Sequence, residues 1–124
     1  MNTPDQQIAY IAEEECRRFQ NAAELAGRKW TASILMAAYR GARRFSEYRE
    51  LVAGVSDRML SVRLRELENE DLLDRVVIPT TPVQVRYSLT QRGQELIQGL
   101  QPLVAWGNRW ENAPQPAAEA ASQR

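Results

Sequence analysis

The sequence predicts a mainly helical α+β fold in which amphipathic helices surround one two-stranded hairpin. Apolar residues recur at helical spacing through residues 4–72, and the pattern changes to the alternation of a half-buried strand in residues 83–89. A helix, a short turn containing glycine, a second helix and the hairpin follow one another within residues 46–89. That order of elements is typical of a winged helix-turn-helix, here with extra helices at both ends.

Three helical segments are predicted ahead of this unit. The first spans Pro4–Phe19, with proline in its first turn, and a short piece over Asn21–Ala26 stops at Gly27. The segment Lys29–Arg40 has the pattern of a core helix that ends at Gly41. Its core side is predicted to comprise Trp30, Ile34, Leu35, Ala38 and Tyr39.

The helix-turn-helix is predicted from two N-capping serines separated by a short turn. Ser46 caps the first helix, whose buried residues are predicted to be Tyr48, Leu51 and Val52. The turn Ala53–Val55 contains glycine, and Ser56 caps a second helix that continues to Asp71. The core stripe of this second helix is predicted to be Leu60, Leu64 and Leu67.

The opposite face of the second helix carries groups that can read DNA. That face is formed by Arg58, Ser61, Val62, Arg65 and Asn69. Guanidinium forks, hydroxyls, amides and small apolar groups contact base edges and phosphates in a major groove. Charged residues on a solvated face are also the commonest arrangement on any helix, so the neighbouring elements have to decide between the two interpretations.

The hairpin that follows is predicted from a change of period. Residues 71–74 are predicted to close the helix, and Arg75–Ile78 form a β-branched strand. Pro79–Pro82 form the tip, and the return strand Val83–Leu89 alternates, with its apolar side formed by Val83, Val85, Tyr87 and Leu89. In the alternative interpretation the hairpin only covers the core, and its arginines are edge-strand charges that discourage aggregation.

A wide apolar stripe in the last helix predicts a second subunit. Thr90 caps a helix from Gln91 to Trp110 that Pro102 is expected to kink. A chain of this size has little core left to cover such a stripe. The expected dimer contacts are Ile8, Ile11, Phe19, Leu96, Leu100, Leu103, Trp106 and Trp110. We therefore divide the chain into dimerisation regions at 1–26 and 91–112, a DNA-binding core at 27–90 and a disordered tail at 113–124.

Composition narrows the class of protein. The chain has 124 residues, no net charge, one cysteine and no histidine. No apolar run approaches the roughly 18 residues of a membrane span, the start lacks a signal-peptide pattern, and one cysteine excludes an intrachain disulfide. We expect a cytoplasmic protein without a membrane partner. The neutral net charge argues mildly against nucleic acid, but residues 28–65 carry nine basic and three acidic side chains.

An enzyme is disfavoured by the same composition. Histidine is the usual general base and the commonest metal ligand, and the sequence has none. It also lacks a glycine-rich phosphate loop and a cysteine cluster for zinc. A carboxylate pair built from Glu66, Glu70 or Asp71 is the remaining option, and solvation of the helix end explains these residues more simply. We expect no enzymatic activity, no cofactor and no metal.

Four blocks of residues occur in an order that is more specific than any single motif. They are Gly27–Trp30 with Ile34 and Leu35; Arg44–Leu51; Ser56, Met59, Leu60, Arg63, Leu64, Glu66 and Leu67; and Tyr87–Thr90 with Gly93. Over residues 16–110 the chain thus resembles the HxlR-type family of bacterial winged helix-turn-helix transcription regulators. The resemblance implies a homodimer that binds operator DNA through its winged core and dimerises through the helices outside it.

We therefore expect a sequence-specific regulator, by default a repressor, that binds as a homodimer to a pseudo-palindromic double-stranded DNA operator. Its expected DNA-binding residues are Arg58, Ser61, Val62, Arg65, Arg43, Arg44, Ser56, Arg75 and Arg86. Asp57 and Val62 depart from the more polar or basic residues usual in the family. With the neutral net charge, they support the alternative of a protein-binding adaptor that keeps the winged fold without specific DNA binding.

Cys16 is a candidate sensor of oxidants or electrophiles, and a small molecule bound between the domain core and the dimer helices is a separate candidate effector. Many proteins of the resembled family carry a sensing cysteine near this place, commonly followed by proline, whereas Arg17 follows here. Arg17 and Arg18 would stabilise a thiolate, and Glu13–Glu15 would oppose this effect. In the alternative interpretation Cys16 is a small buried apolar residue of an amphipathic helix.

Overall fold

The computed structural model describes residues 12–111, which form six helices and one two-stranded antiparallel sheet. In chain order the elements are α1 (Glu13–Gly27), α2 (Thr31–Tyr39), α3 (Phe45–Leu51), α4 (Asp57–Asn69), β1 (Leu73–Ile78), β2 (Gln84–Leu89), α5 (Gln91–Gly99) and α6 (Gln101–Glu111). The winged helix-turn-helix is confirmed, with α3 and α4 followed by the β1–β2 hairpin and with further helices on both sides. The predicted helix start at Pro4, the contacts Ile8 and Ile11, and the tail 113–124 lie outside the described residues.

Helix α1 is continuous across the break that the sequence predicted between Phe19 and Asn21. That prediction is wrong because the side chain of Gln20 donates to the Glu24 carboxylate at 3.4 Å, one turn later, and alanines follow it. None of the residues of α1 is buried. The helix therefore lies on the outside of the molecule.

Helix α2 is the centre of the core and packs against α1, α3, α4, β2 and α5. It begins at Thr31, two residues later than predicted, because Trp30 has a left-handed backbone with φ 75°. Gly41, with φ 110°, ends it as predicted, since the N–H groups of Gly41 and Ala42 donate to the carbonyls of Ala38 and Ala37. Tyr39 was wrongly placed in the core, because the last helical residue extends past the packed elements and is 51% exposed.

Helix α3 is capped differently from the prediction. Arg44, rather than Ser46, is the N-cap residue, because the Glu47 carboxylate accepts the backbone N–H groups of Arg43 at 3.0 Å and Arg44 at 2.8 Å. Tyr48 and Val52 are buried as predicted. Leu51 is 39% exposed, so its placement in the core is wrong; it is the last residue of a short helix.

Helix α4 begins as predicted and ends earlier. The Ser56 hydroxyl accepts the N–H of Met59 at 3.1 Å, which confirms the N-cap. Asp71 has a left-handed backbone with φ 60°, and the N–H of Leu72 donates to the Leu67 carbonyl at 2.9 Å. This turn ends the helix at Asn69, so the prediction that residues 71–74 close it is wrong, and strand β1 already begins at Leu73.

The tip of the hairpin comprises residues 79–83, one residue more than predicted, and the two strands pair in a regular antiparallel register. Arg75 pairs with Tyr87, and Val76 pairs with Arg86. Tyr87 is buried, but Val83 is 61% exposed because it precedes β2 in the tip, so its predicted place on the buried face is wrong. The hairpin is held to the core at Tyr87, whose backbone N–H donates to the Arg43 carbonyl at 2.8 Å.

The last predicted helix is divided into α5 and α6. The Thr90 hydroxyl accepts the N–H of Gly93 at 2.9 Å, as expected for its N-cap. A Cβ at Gly93 would overlap the backbone of Leu72, so this helix packs closely against the end of the α4–β1 turn. The break falls at Leu100, two residues before Pro102, because proline has no N–H to continue the helix. Within residues 12–111, no helix is both long and apolar enough to span a membrane.

Candidate DNA-binding surface

Helix α4 has a core side and an outer side with different chemistry. Leu60, Leu64 and Leu67 are at most 2% exposed. The outer side presents Arg58, Ser61, Val62 and Arg65, all of them exposed as predicted. The two arginines are seven residues apart, which places them about 10 Å apart along the helix axis on the same side. The leucines fix the orientation of the helix, and the arginine side remains open to a ligand.

Arg63 fixes the flank of α4 against the start of α2. Its Nε donates to the carbonyl of Lys29 at 3.1 Å, and its Nη1 forms a 2.6 Å ion pair with Glu66. Half-buried and engaged in this way, Arg63 helps to orient the helix, whereas Arg58 and Arg65 are exposed. The spacing of the leucines predicts that Arg63 lies beside the core. Its contact with Lys29 joins residues 34 positions apart, so no local sequence pattern predicts it.

Asp57, in the first turn of α4, forms an ion pair with Arg49 of α3. The Arg49 Nη1 lies 3.2 Å from Oδ2 of Asp57, and both side chains are more than half exposed. The carboxylate that departs from the family pattern is thus balanced by a guanidinium of the neighbouring helix. Arg49 had not been selected as a site residue from the sequence.

Arg43 is committed to the fold through one of its nitrogens. Its Nη1 donates to the carbonyls of Ala38 at 2.9 Å and Ala42 at 2.7 Å, at the carboxyl end of α2. The Ala38 carbonyl also accepts the N–H of Gly41, so Arg43 reinforces the turn that ends α2. That Arg43 contacts DNA remains a prediction. The contact would have to be made by guanidinium nitrogens of Arg43 other than Nη1.

Arg44 and Arg86 are brought together by a residue that the sequence did not single out. The side-chain carbonyl of Gln84 accepts Nη2 of Arg44 and Nη2 of Arg86, each at 3.3 Å. Arg86 and Gln84 are two residues apart on β2 and therefore share a face, which the alternation of the strand could have indicated. The contact with Arg44 joins residues 40 positions apart and could not be inferred from spacing.

Arg75 lies on the other face of the hairpin. Residues that pair directly across an antiparallel ladder share a face, so Arg75 is on the face of Tyr87, whereas Arg86 is on the face of Val76. The structure therefore separates two arginines that the sequence grouped together. Ser56, also predicted to contact DNA, has its hydroxyl engaged as the N-cap of α4.

The exposed Glu47 and the buried Tyr48 have shifted pKa values next to this surface. Hydrogen bonds from the backbone N–H groups of Arg44 and Arg43 hold the pKa of the Glu47 carboxyl below its usual range. Burial raises the pKa of the Tyr48 phenol above its usual range, and its hydroxyl donates to the carbonyl of Tyr87 at 2.8 Å. Tyr48 therefore remains neutral and ties α3 to β2.

The predicted dimer residues form an apolar surface on α1, α5 and α6. Phe19 is 74% exposed, Leu103 60%, Trp106 54% and Trp110 46%, while Leu96 and Leu100 are half-buried. Phe19, Leu96, Leu100 and Leu103 line a groove of about 500 Å³ between α1 and the two last helices. Alanines and glycines form most of the rest of this groove, so its walls are nearly free of charge.

Cys16 lies in the first turn of α1 and is exposed. The alternative of a buried apolar residue is therefore wrong for a single chain, because α1 buries none of its residues. Its neighbours along the chain are Glu13–Glu15 on one side and Arg17 and Arg18 on the other. In the described range 12–111, no three His, Cys, Asp or Glu side chains are grouped so as to hold a metal ion.

Comparisons with known proteins agree with this geometry. A family model described as HxlR-like helix-turn-helix matches residues 25–115. Over 97 residues the chain is 40% identical to the uncharacterized HTH-type transcriptional regulator YvaP of Bacillus subtilis, a match that covers 78% of this chain and 90% of the relative. Over 95 residues it is 36% identical to the HTH-type transcriptional regulator YodB of the same bacterium, with coverage of 77% and 85%.

Solved structures show the same fold. The reduced form of YodB from B. subtilis superposes with a TM-score of 0.67 at 31% identity, covering 85% of this chain and 99% of that one. The redox regulator HypR in its reduced form gives a TM-score of 0.71 at 29% identity, with coverage of 77% and 94%. The resemblance inferred from residues 16–110 is confirmed, and the chain belongs to the HxlR-like helix-turn-helix family of transcriptional regulators.

Proposed function

We propose that this regulator binds a specific double-stranded DNA operator as a homodimer and represses transcription there. The observation that carries the proposal is the two-sided character of α4, with three buried leucines behind Arg58 and Arg65. A major groove admits one α-helix, and its base edges accept hydrogen bonds from guanidinium forks. Helix α4 is thus the recognition helix of the proposal.

Each group of the surface has a proposed role. Arg58 and Arg65 contact bases or phosphates in the groove, Ser61 adds a smaller polar contact, and the Val62 methyls suit a thymine methyl. Arg43, Arg44, Arg75 and Arg86 hold the duplex through its phosphates and fix the register of α4. Arg43 and Arg44, like Arg58 and Arg65, belong to the positive block at residues 28–65 of a chain whose net charge is zero.

The proposed dimer is formed by the helices outside residues 27–90. Phe19, Leu103 and Trp106 are apolar and more than half exposed, as expected of a surface that a second subunit covers. A two-fold axis through this surface would bring the two α4 helices to successive major grooves, about 34 Å apart, on a pseudo-palindromic site. Repression is the proposed outcome, because a dimer bound across a promoter excludes polymerase without a further domain.

Cys16 is the proposed oxidant sensor of the dimer. Two Cys16 thiols, one from each subunit, would give two protons and two electrons to an oxidant such as diamide and form one disulfide. Sulfenylation and alkylation are the other chemistries of a lone exposed thiol. Relatives support this role, since YodB has been solved reduced and after diamide treatment and HypR has been solved reduced and oxidized.

DNA binding by fluorescence anisotropy tests the proposal, with the DNA upstream of the protein's own gene as the probe and potassium chloride varied. We expect tighter binding than to a mixed-sequence duplex, a steep loss with salt, and a further loss after diamide treatment in the wild type but not in Cys16→Ser. Specific binding that diamide leaves unchanged would retain the regulator and remove the sensor. If neither duplex is bound at low salt, the protein-binding adaptor replaces the regulator.

A further inference from the structure

Arg44 and Arg86 converge on one point although they belong to different parts of the fold. Arg44 immediately precedes α3, and Arg86 lies in the middle of β2. Because the Nη2 atoms of both residues lie 3.3 Å from the same oxygen of Gln84, they cannot be farther apart than twice that distance. Two guanidinium groups thus share a space of the size of one small anion.

The convergence is fixed by the backbone on both sides. The N–H of Tyr87, next to Arg86, donates to the carbonyl of Arg43, next to Arg44, at 2.8 Å. The carbonyl of the same Tyr87 accepts the buried Tyr48 hydroxyl at 2.8 Å. The start of α3 and the middle of β2 are therefore held in one relative position before any ligand arrives.

The charge of Arg44 interacts with the Glu47 carboxylate, but in the described part of the chain neither Arg44 nor Arg86 forms an ion pair with a carboxylate. Glu47, the acidic residue nearest to Arg44 in sequence, directs Oε1 to the backbone N–H groups of Arg43 and Arg44. The amide oxygen of Gln84 is a neutral acceptor at a long distance, so two like charges are close together with weak compensation.

We infer that Arg44 and Arg86 form one phosphate clamp, in which both guanidiniums bind the same backbone phosphate of the DNA. Gln84 is the positioning residue that sets their separation. A phosphate offers charged oxygens to both forks at shorter distances than the amide oxygen does, and it removes the repulsion between them. The clamp rests on the proposed DNA binding and deepens it, because it joins the helix-turn-helix and the wing at a single phosphate.

The salt dependence of DNA affinity counts phosphates and therefore tests the sharing. The slope of log K against log salt changes by about 0.9 for each phosphate neutralised on B-DNA. With a mixed-sequence duplex and a potassium chloride series, we expect Arg44→Gln and Arg86→Gln each to weaken binding with little change in slope, since the other arginine keeps the phosphate. Because the proposed dimer carries two such clamps, the double variant should then lose about 1.8 in slope, twice the value for one phosphate.

Three results would overturn the clamp while DNA binding stands. In the dimer, slope losses of about 1.8 for each single variant and about 3.6 for the double variant would assign two separate phosphates in each subunit. If one single variant shows the whole loss of slope and the other shows none, only the arginine replaced in the first variant contacts a phosphate. An unchanged slope in the double variant would remove both from the DNA. If the wild-type protein binds no DNA, the clamp and the proposed function both fail. The clamp fails alone when the wild-type protein binds DNA and the variants give one of the three results above.

Three further variants supply a control and test the roles of Gln84 and of the guanidinium groups. Arg75→Gln removes the wing arginine on the opposite face, and it should not change the coupling between Arg44 and Arg86 in a double-mutant cycle. Gln84→Ala should abolish that coupling while circular dichroism shows an unchanged fold. Coupling that persists in Gln84→Ala would contradict the positioning role. Arg44→Lys with Arg86→Lys keeps both charges, and we expect weaker binding with the slope retained.

Discussion

The outer face of α4 and the outer surface of α1 and α6 are both exposed to solvent. They differ in whether the same helix also buries residues in the core. Helix α4 buries three leucines and presents arginines, whereas neither α1 nor α6 buries a residue and both expose large apolar side chains. An exposed apolar surface forgoes about 25 cal/mol per Å² that burial would supply, and a charged face carries no such cost. The comparison indicates that the charged face is complete in one chain and that the apolar surface is suited to a second subunit.

The same substitution at a core leucine and at a surface leucine tests this difference most strongly. We expect Leu64→Ala, at a position 1% exposed, to lower the free energy of unfolding by about 2–5 kcal/mol. Leu103→Ala, at a position 60% exposed, should change the dilute protein by less than about 0.5 kcal/mol. In urea titrations at two protein concentrations, Leu103→Ala should lower the free energy of unfolding only at the higher concentration, at which the subunits associate. Equal losses at both concentrations would place Leu103 in the core of a monomer.

A charge in the apolar surface should separate the subunits. Trp106→Glu is expected to raise the dimer dissociation constant at least about 30-fold, or about 2 kcal/mol, because a carboxylate would be desolvated at the contact. Sedimentation analysis measures this dissociation constant. Val83→Glu, at a wing position 61% exposed, is the matched control and should leave association unchanged. If the two variants associate equally well, α6 is not the subunit contact.

A smaller effect is expected at the contact between α3 and β2, which joins the proposed DNA-binding surface to the core. Tyr48→Phe removes the donor to the carbonyl of Tyr87 and leaves that acceptor unpaired, at a cost of about 1–3 kcal/mol in thermal or urea unfolding. Tyr39→Phe removes the hydroxyl of a tyrosine that is 51% exposed and should change stability by less than about 0.5 kcal/mol. Similar effects in both variants would mean that the buried hydroxyl does not stabilise the joint between α3 and β2.

The smallest expected effect is a pH dependence at the cap of α3. Because the pKa of Glu47 is lower in the folded state than in the unfolded state, its ionised form adds stability above the unfolded pKa and loses it as pH falls through the folded pKa. Glu47→Gln keeps an acceptor and removes the titration. The difference in unfolding free energy between wild type and this variant should be largest above about pH 5 and shrink on acidification. A difference that is constant with pH would exclude the charge as the cause.

The sequence predicted the elements whose signals are local. The repeating leucines and Ser56 established α4, and Gly41 and Thr90 marked real helix boundaries. Backbone conformations without a residue signature were missed, such as the left-handed Asp71 that ends α4 early. Periodicity gives the direction of a side chain but not the extent of the core, which is why Tyr39 and Leu51 proved exposed.

The site could be predicted in composition but not in grouping. The arginines of α4 and of the wing were identified from chain position, and the structure leaves them exposed. Their separation into two hairpin faces follows from the register of β1 and β2, and Arg44 and Arg86 converge on Gln84 because the start of α3 is bonded to β2. Contacts between residues 40 positions apart are decided by packing, and single residues carry no local sign of them.

Operator binding by arginine variants tests the central claim, that the outer face of α4 recognises DNA. Arg58→Gln and Arg65→Gln are compared with Arg109→Gln, which removes an exposed arginine of α6. We predict that each α4 variant weakens operator binding about 5- to 150-fold, equivalent to about 1–3 kcal/mol, with a smaller loss on mixed-sequence DNA. Arg109→Gln should bind like the wild type. Equal affinity of all three variants for the operator would contradict the claim.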